Sequence, residues 1–293
     1  MEFGTLITAM VTPFDEQLQI DWDRTGKLID YLIETQRSDS LVVCGTTGES
    51  PTLSDDEKLA LFEFTVKRAA GRCRVIAGTG SNNTAHAIHL SQAAERTGVD
   101  GLLLVTPYYN KPSQEGMYRH FKAIAESVSI PVILYNVPSR TGVNLSAETT
   151  VRLSAIPNIV ATKDCAPLDQ LTQVVANASP GFKLYSGDDS MTMPVMAIGG
   201  SGIISVASHV IGAKMKDMLD AYIQGDTARA SALNAECIDV FQGLFNCPHP
   251  VPNPVPVKYA LQLHDMPVGG VRLPLIEATD AERRFIEGLF VSK

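Results

Sequence analysis

The 293-residue sequence is 45% apolar and 19% charged, with a formal net charge of −8 and a pI near 5.3. That balance excludes a chain too polar to bury a core, and it excludes the basic footprint of a nucleic-acid binder. The length suits one large α/β barrel or two modest domains.

Short β-rich apolar runs recur along the chain at Gly4–Val11, Leu41–Gly45, Arg74–Gly78, Gly101–Thr106, Pro131–Tyr135, Ile159–Lys163, Phe182–Ser186 and Gly202–Val206. They are continuously apolar rather than alternating, as parallel strands covered on both faces are. Helical stretches fill the intervals. Ser54 with Glu57 reads as a capping box, Thr84 precedes an amphipathic run, and Ser146 caps a helix with an early acid, Glu148. Gly71 and Gly98 stand where helices should stop. Repeated βα units at this pitch predict a (β/α)8 TIM barrel, whose site lies at the C-terminal ends of the strands. An open doubly wound sheet is the alternative, weakened by the lack of G-x-G-x-x-G after the first strand.

Met191–Ala213 carries no Asp, Glu, Lys or Arg, but Pro194 and several glycines would break a lipid-facing helix. It reads as a buried strand with a loop on each side. Beyond Gly225 the pattern changes to three helices, Asp226–Phe245, Pro254–His264 and Thr279–Phe290. The expected division is a catalytic barrel over 1–224 and a helical extension over 225–293. The proline-rich Cys247–Pro256 run reads as a stiff connector with proline opening the next helix, in preference to a polyproline ligand.

Cys44, Cys73, Cys165, Cys237 and Cys247 are odd in number and never at C-x-x-C spacing, which speaks against a disulfide framework or a zinc site. Free thiols in a reducing cytoplasm are expected. Met1-Glu2-Phe3-Gly4 lacks the basic start of a signal peptide, so a cytoplasmic location is expected. His86 and His89 share a helix without H-E-x-x-H and read as part of a covered, barrel-facing surface rather than metal ligands. His120, His209, His249 and His264 show no obvious partner in the sequence.

The chemistry centres on Lys163, which ends an apolar run. Burial disfavours its ammonium form and lowers its pKa, and a neutral lysine attacks carbonyl carbon. Schiff-base chemistry is therefore expected. Three further segments follow predicted strands. Cys44-Gly45-Thr46-Thr47-Gly48-Glu49 can hold a carboxylate with hydroxyls and N–H groups, or serve as a plain βα turn. In Tyr135-Asn136-Val137-Pro138-Ser139-Arg140, the tyrosine can pass protons or simply pack, and Arg140, in the loop after the strand, can clamp a carboxylate or sit in solvent. Tyr108 and Tyr109 point in different directions, so one can enter a site while the other packs at an interface. Gly78-Thr79-Gly80 and Gly199–Gly202 could hold phosphate, the second where barrels often do; close backbone packing explains both equally well.

Together these motifs resemble the dihydrodipicolinate synthase family, among the pyruvate-dependent class I aldolases related to N-acetylneuraminate lyase. The resemblance runs from Gly4-Thr5-Leu6-Ile7-Thr8-Ala9 to Asn253-Pro254-Val255-Pro256-Val257-Lys258. It is carried by Gly45–Glu49, Tyr135–Pro138 and Lys163 in that order, with Thr46-Thr47 together with Arg140-Thr141-Gly142 marking the synthase branch. It implies a lyase that condenses pyruvate with L-aspartate 4-semialdehyde, in lysine and diaminopimelate biosynthesis. It implies no metal and no cofactor, because the iminium is the electron sink, and no nucleic-acid or membrane partner. By resemblance, Lys163 forms the Schiff base and Thr47 binds the pyruvate carboxylate. Tyr135, Thr46 and Tyr109 form a proton relay, Tyr109 coming from a neighbouring subunit of a homotetramer built as a dimer of dimers. Arg140 receives the second substrate's carboxylate, and the backbones of Gly187, in Ser186-Gly187-Asp188-Asp189, and of Ile204 line the pocket. Some members bind inhibitory L-lysine through a His pair and a Glu. The matching positions here are Asp55, Lys58 and His86, while Glu49, Asn82 and Tyr108 remain, so weak or absent feedback inhibition is expected. Three competing readings are a sugar-acid retro-aldolase or dehydratase, a non-catalytic binding protein, and a phosphate-substrate isomerase.

Overall fold

In the computed structural model, which describes residues 3–248 and 251–291, strand and helix alternate from Leu6 to Ile223. Met1, Glu2, His249 and Pro250, which figure in the readings above, lie outside the described residues. The order is β1 (Leu6–Ala9), α1 (Trp22–Glu34), β2 (Ser40–Val43), α2 (Asp55–Ala69), β3 (Arg74–Gly78), α3 (Thr84–Glu95), β4 (Gly101–Val105), α4 (Gln114–Ala125) and β5 (Val132–Asn136). It continues α5 (Pro138–Thr141), α6 (Ala147–Leu153), β6 (Ile159–Asp164), α7 (Leu168–Asn177), β7 (Lys183–Ser186), α8 (Thr192–Ala197), β8 (Gly202–Ser205) and α9 (Ser208–Ile223). Three helices follow: α10 (Thr227–Gly243), α11 (Val255–Leu263) and α12 (Asp280–Gly288).

Among the described residues, eight parallel strands close in sequence order, β8 pairing back onto β1. Alternation of side chains along each strand splits the apolar residues into two layers. Ile7, Val42, Ile76, Leu103, Ile133, Ala161, Tyr185 and Ile204 fill the barrel interior, one from each strand. Leu6, Leu41, Val75, Leu102, Leu134 and Ile203 face the helices. Phe241, Leu244, Val257 and Leu261 of the C-terminal helices join that outer layer.

Local chemistry sets the boundaries. The Ser54–Glu57 capping box opens α2. At α3 the cap is Asn83, which accepts from the His86 N–H, so Thr84 lies inside the helix rather than before it. Ala70 turns left-handed after α2, followed by Gly71 at φ +76°. The apolar Met191–Ala213 segment holds β8, but flanked by α8 and the start of α9 rather than by loops. No described helix is long and apolar enough to cross a membrane.

One irregularity positions the site. Between β5 and β6 the register shifts at Val132/Ile133, so Val132 faces Ile159 while Ile133 faces Ala161. The extra residue is Val160, a one-residue bulge. Because side chains alternate, this shift brings Tyr135 level with Lys163 and Asn136 level with Asp164.

Candidate active site

Lys163 stands near the C-terminal end of β6, between Tyr135 of β5 and Tyr185 of β7 in the strand register. It is only 5% exposed. Burial holds its amine below the ordinary lysine range; Cys165 and Asp189 oppose that shift and Arg140 adds to it. Its Nζ lies 4.4 Å from the centroid of the Tyr135 ring. Burial raises the Tyr135 phenol above its usual range, against the opposing hydrogen bond with Thr46.

A cavity of about 480 Å³ opens beside this pair, lined among others by Gly45, Thr46, Gly78, Tyr135, Val137 and Arg140. Lys163 is not in its wall, but the tyrosine under its Nζ is. Arg140 lies in α5, a single turn closed by left-handed Gly142 rather than the loop expected from sequence, and its side chain is exposed.

Thr47 is 3% exposed and accepts from Asn253 Nδ2 at 2.8 Å. Gly187 sits against the lysine: a Cβ there would overlap Cys165 Sγ and come within 3.3 Å of Lys163 Cε. Ile204 is in the barrel interior. Thr46, Tyr135, Lys163 and Gly187 are thus brought together around the strand ends, with Arg140 at the rim. Tyr109 is not part of that group within one chain; it is 89% exposed on a residue with φ +74°.

The cluster matched to lysine inhibition divides. His86 and Tyr108 line the same cavity, with Asp55 and Lys58, and Asn82 Nδ2 donates to the Tyr108 carbonyl at 3.1 Å. His86 Nε2 lies 2.7 Å from Asp55 Oδ2, and Lys58 Nζ 3.8 Å from Asp55 Oδ1. Glu49 does not belong with them. Its left-handed backbone, φ +57°, turns it toward the C-terminal segment. There its side chain, 0% exposed, meets Lys258 Nζ at 2.8 Å and accepts the Arg272 N–H at 2.9 Å. Ser50 and Pro51 line the cavity instead.

Several residues were invisible as functional candidates in the sequence. Asn253 and Lys258 were marked only as part of a resembling run, and Asp189 only as a neighbour of Gly187. Asp189 is buried and accepts from the Val206 and Ala207 N–H groups, tying β7 to the β8–α9 turn. His209 and His120, which showed no partner in the sequence, have one: His209 bridges Val206 and Val11, and His120 pairs with Thr84. Gly199–Gly202 leads into β8, whose first residue is Gly202, at the opposite end of the barrel from the lysine, and side chains at Gly200 and Gly202 would meet Val195 and Thr5. It is close packing rather than a phosphate loop at the site. Among the described residues no group of three or more His, Cys, Asp and Glu side chains could hold a metal ion, and all five cysteines are free.

A buried lysine beside a buried tyrosine at a parallel-barrel mouth suits imine formation, and comparison with known proteins gives the family. The family model for the dihydrodipicolinate synthetase family matches residues 2–290. The chain belongs to this family. It is 54% identical to a 4-hydroxy-tetrahydrodipicolinate synthase of Bacillus velezensis over 97% of this chain and 96% of that one. A dihydrodipicolinate synthase structure from Bacillus anthracis superposes with a TM-score of 0.96 at 50% identity, covering 100% of this chain and 99% of that one. A DHDPS structure from Cyanidioschyzon merolae, with lysine bound, gives a TM-score of 0.95 at 42% identity, covering 99% and 97%.

Proposed function

We propose that the chain condenses pyruvate with L-aspartate 4-semialdehyde through a Schiff base on Lys163. The observation that carries this reading is the Lys163 amine, 5% exposed and held below its usual pKa by burial, with its Nζ on the face of Tyr135. The neutral amine attacks the keto carbon of pyruvate, and a proton delivered through Tyr135 lets water leave and the nitrogen remain protonated as an iminium. The positive nitrogen acidifies the adjacent methyl group, whose proton leaves through Tyr135 and Thr46. The resulting enamine carbon attacks the aldehyde of the second substrate. That substrate's own amine then displaces Lys163 and closes the ring, returning the lysine neutral.

Thr47 and its loop N–H groups take the pyruvate carboxylate, with the Gly187 and Ile204 backbones along the pocket. Arg140 takes the carboxylate of the semialdehyde; its place at the cavity rim suits a second anion. Tyr109 completes the relay from a neighbouring copy in a tetramer built as a dimer of dimers, in keeping with its 89% exposure in one chain. Residues 1–224 form the catalytic barrel on this reading, and 225–293 an extension that braces its mouth.

Borohydride reduction in the presence of pyruvate, followed by peptide mass mapping, tests the reading. An adduct on Lys163 is expected; an adduct elsewhere, or none, overturns it. A coupled condensation assay tests the second substrate, and efficient cleavage of a sugar acid in its place would shift the assignment to a retro-aldolase.

A further inference from the structure

The loop after β2 is gripped from far along the chain. Asn253 Nδ2 donates to Thr47 Oγ1 at 2.8 Å across a separation of 206 residues. Lys258 Nζ meets Glu49 Oε1 at 2.8 Å, with side chains 4% and 0% exposed, and Thr12 Oγ1 donates to the Gly48 carbonyl at 2.7 Å. Gly48 is closely packed, since a Cβ there would stand 3.1 Å from the Met10 carbonyl oxygen and from Cys44. Thr47 is therefore held in a loop fixed on both sides.

A threonine hydroxyl has one proton to give and lone pairs to receive. The Asn253 amide N–H takes up its accepting side, so the proton of Thr47 remains to be donated elsewhere. In a buried pair, with Thr47 3% and Asn253 6% exposed, that polarity matters. A donor stabilises an anionic oxygen, and a misdirected lone pair repels it. We infer that Asn253 is a positioning residue that sets Thr47 as a hydrogen-bond donor and so selects the carboxylate of a 2-keto acid over its neutral amide. This rests on the Lys163 reading above and adds a specificity element supplied by the C-terminal extension.

The test compares pyruvate with pyruvamide as imine-forming substrates. Asn253→Asp keeps the shape but can only accept, which forces Thr47 to spend its proton on the new carboxylate. Asn253→Ala merely releases the hydroxyl. Asn253→Asp is expected to raise the KM for pyruvate about 100-fold and Asn253→Ala about 10-fold, while the KM for the semialdehyde stays within about twofold of wild type. Borohydride trapping on Lys163 should lose its preference for pyruvate over pyruvamide in Asn253→Asp. A general loss of packing would move both substrates together. The inference is overturned if the pyruvate KM stays within about twofold of wild type in folded variants, or if pyruvate and pyruvamide weaken equally. Should Asn253→Asp fail to fold, Asn253→Ala carries the test, and Asn253→Ser replaces both if neither folds. Failure of wild type to trap pyruvate on Lys163 would instead overturn the underlying reading.

Discussion

Lys163 Nζ lies over the face of Tyr135, 4.4 Å from the ring centroid. The negative face of an aromatic ring favours a cation, so the ring works against the burial that lowers the pKa of the amine. The ring and the hydroxyl of Tyr135 therefore have separable effects. Tyr135→Phe keeps the ring and removes the proton carrier. Turnover should fall about 10²- to 10⁴-fold while the acid limb of imine formation stays in place. Tyr135→Leu removes the ring as well, which makes the ammonium less favourable, so the acid limb should move to lower pH. Single-turnover borohydride trapping across pH distinguishes the two.

Gly187→Ala should abolish imine formation and cost about 1–3 kcal/mol of stability through overpacking. The new methyl group would overlap Cys165 Sγ and press on the Lys163 stem. Cys165→Ala in the same chain removes the overlapping atom, so the double variant should regain most of the stability. Thermal unfolding with trapping on the same samples checks both parts; additive losses would show that the crowding is not with Cys165.

The Glu49–Lys258 pair is buried, and burial lowers the lysine to about 8 despite the opposing pull of Glu49. Lys258→Met leaves a buried carboxylate without its cation and should cost about 3–5 kcal/mol. Lys258→Met with Glu49→Gln should recover most of that, because glutamine still accepts the Arg272 N–H. Chemical denaturation at neutral pH reads the difference; equal loss in the single and double variants would assign the pair no electrostatic role.

Two buried groups titrate with opposite consequences between pH 4 and 7. Burial takes His209 from 6.5 down to about 4. Its Nδ1 donates to the Val206 carbonyl while Nε2 accepts the Val11 N–H, an arrangement only the neutral ring provides. Its folded form resists a proton that the unfolded chain accepts, so stability is lost as pH falls from 6.5 toward 4. Asp164 is raised from 3.8 to about 7 by burial, so its folded form holds a proton the unfolded chain has released. Its contribution is lost as pH rises from 3.8 through 7. Asp164→Asn keeps the oxygen that accepts from Asn136 and Ala166 and removes the titration. Its stability relative to wild type should improve steadily from pH 4 to 7.5, read by denaturant unfolding at several pH values. A constant difference would mean that Asp164 ionises normally.

Lysine feedback is expected to be weak or absent. In the cavity that holds His86 and Tyr108, the Asp55 carboxylate is already engaged by His86 and Lys58. An incoming ammonium finds no free anion there and meets the Lys58 cation. Activity measured with added L-lysine checks this; strong inhibition at sub-millimolar effector would contradict it.

The barrel was legible because its strands are short continuous apolar runs and its helices carry caps such as Ser54 with Glu57. Lys163 was legible because a lysine closing such a run needs a reason. The bulge at Val160 was not, since nothing in Ile159–Lys163 marks which residue goes unpaired, yet it sets Lys163 level with Tyr135. Arg140 reads as a loop residue in the sequence because the four residues of α5 are too few to show a helical period. Glu49 was misgrouped because sequence places it beside Thr46 and Thr47, while its backbone angle, visible only in three dimensions, turns it the other way. Asn253 was missed for a related reason: its partner is 206 residues distant.

That separation has a consequence for synthesis. A ribosome-bound chain stopped before Asn253 would already contain every strand of the barrel, with Lys163 and Tyr135 in place. It would lack the amide that orients Thr47 and the cation that neutralises Glu49. On the proposed reading the nascent enzyme holds its keto acid only weakly until its last helices have left the exit tunnel.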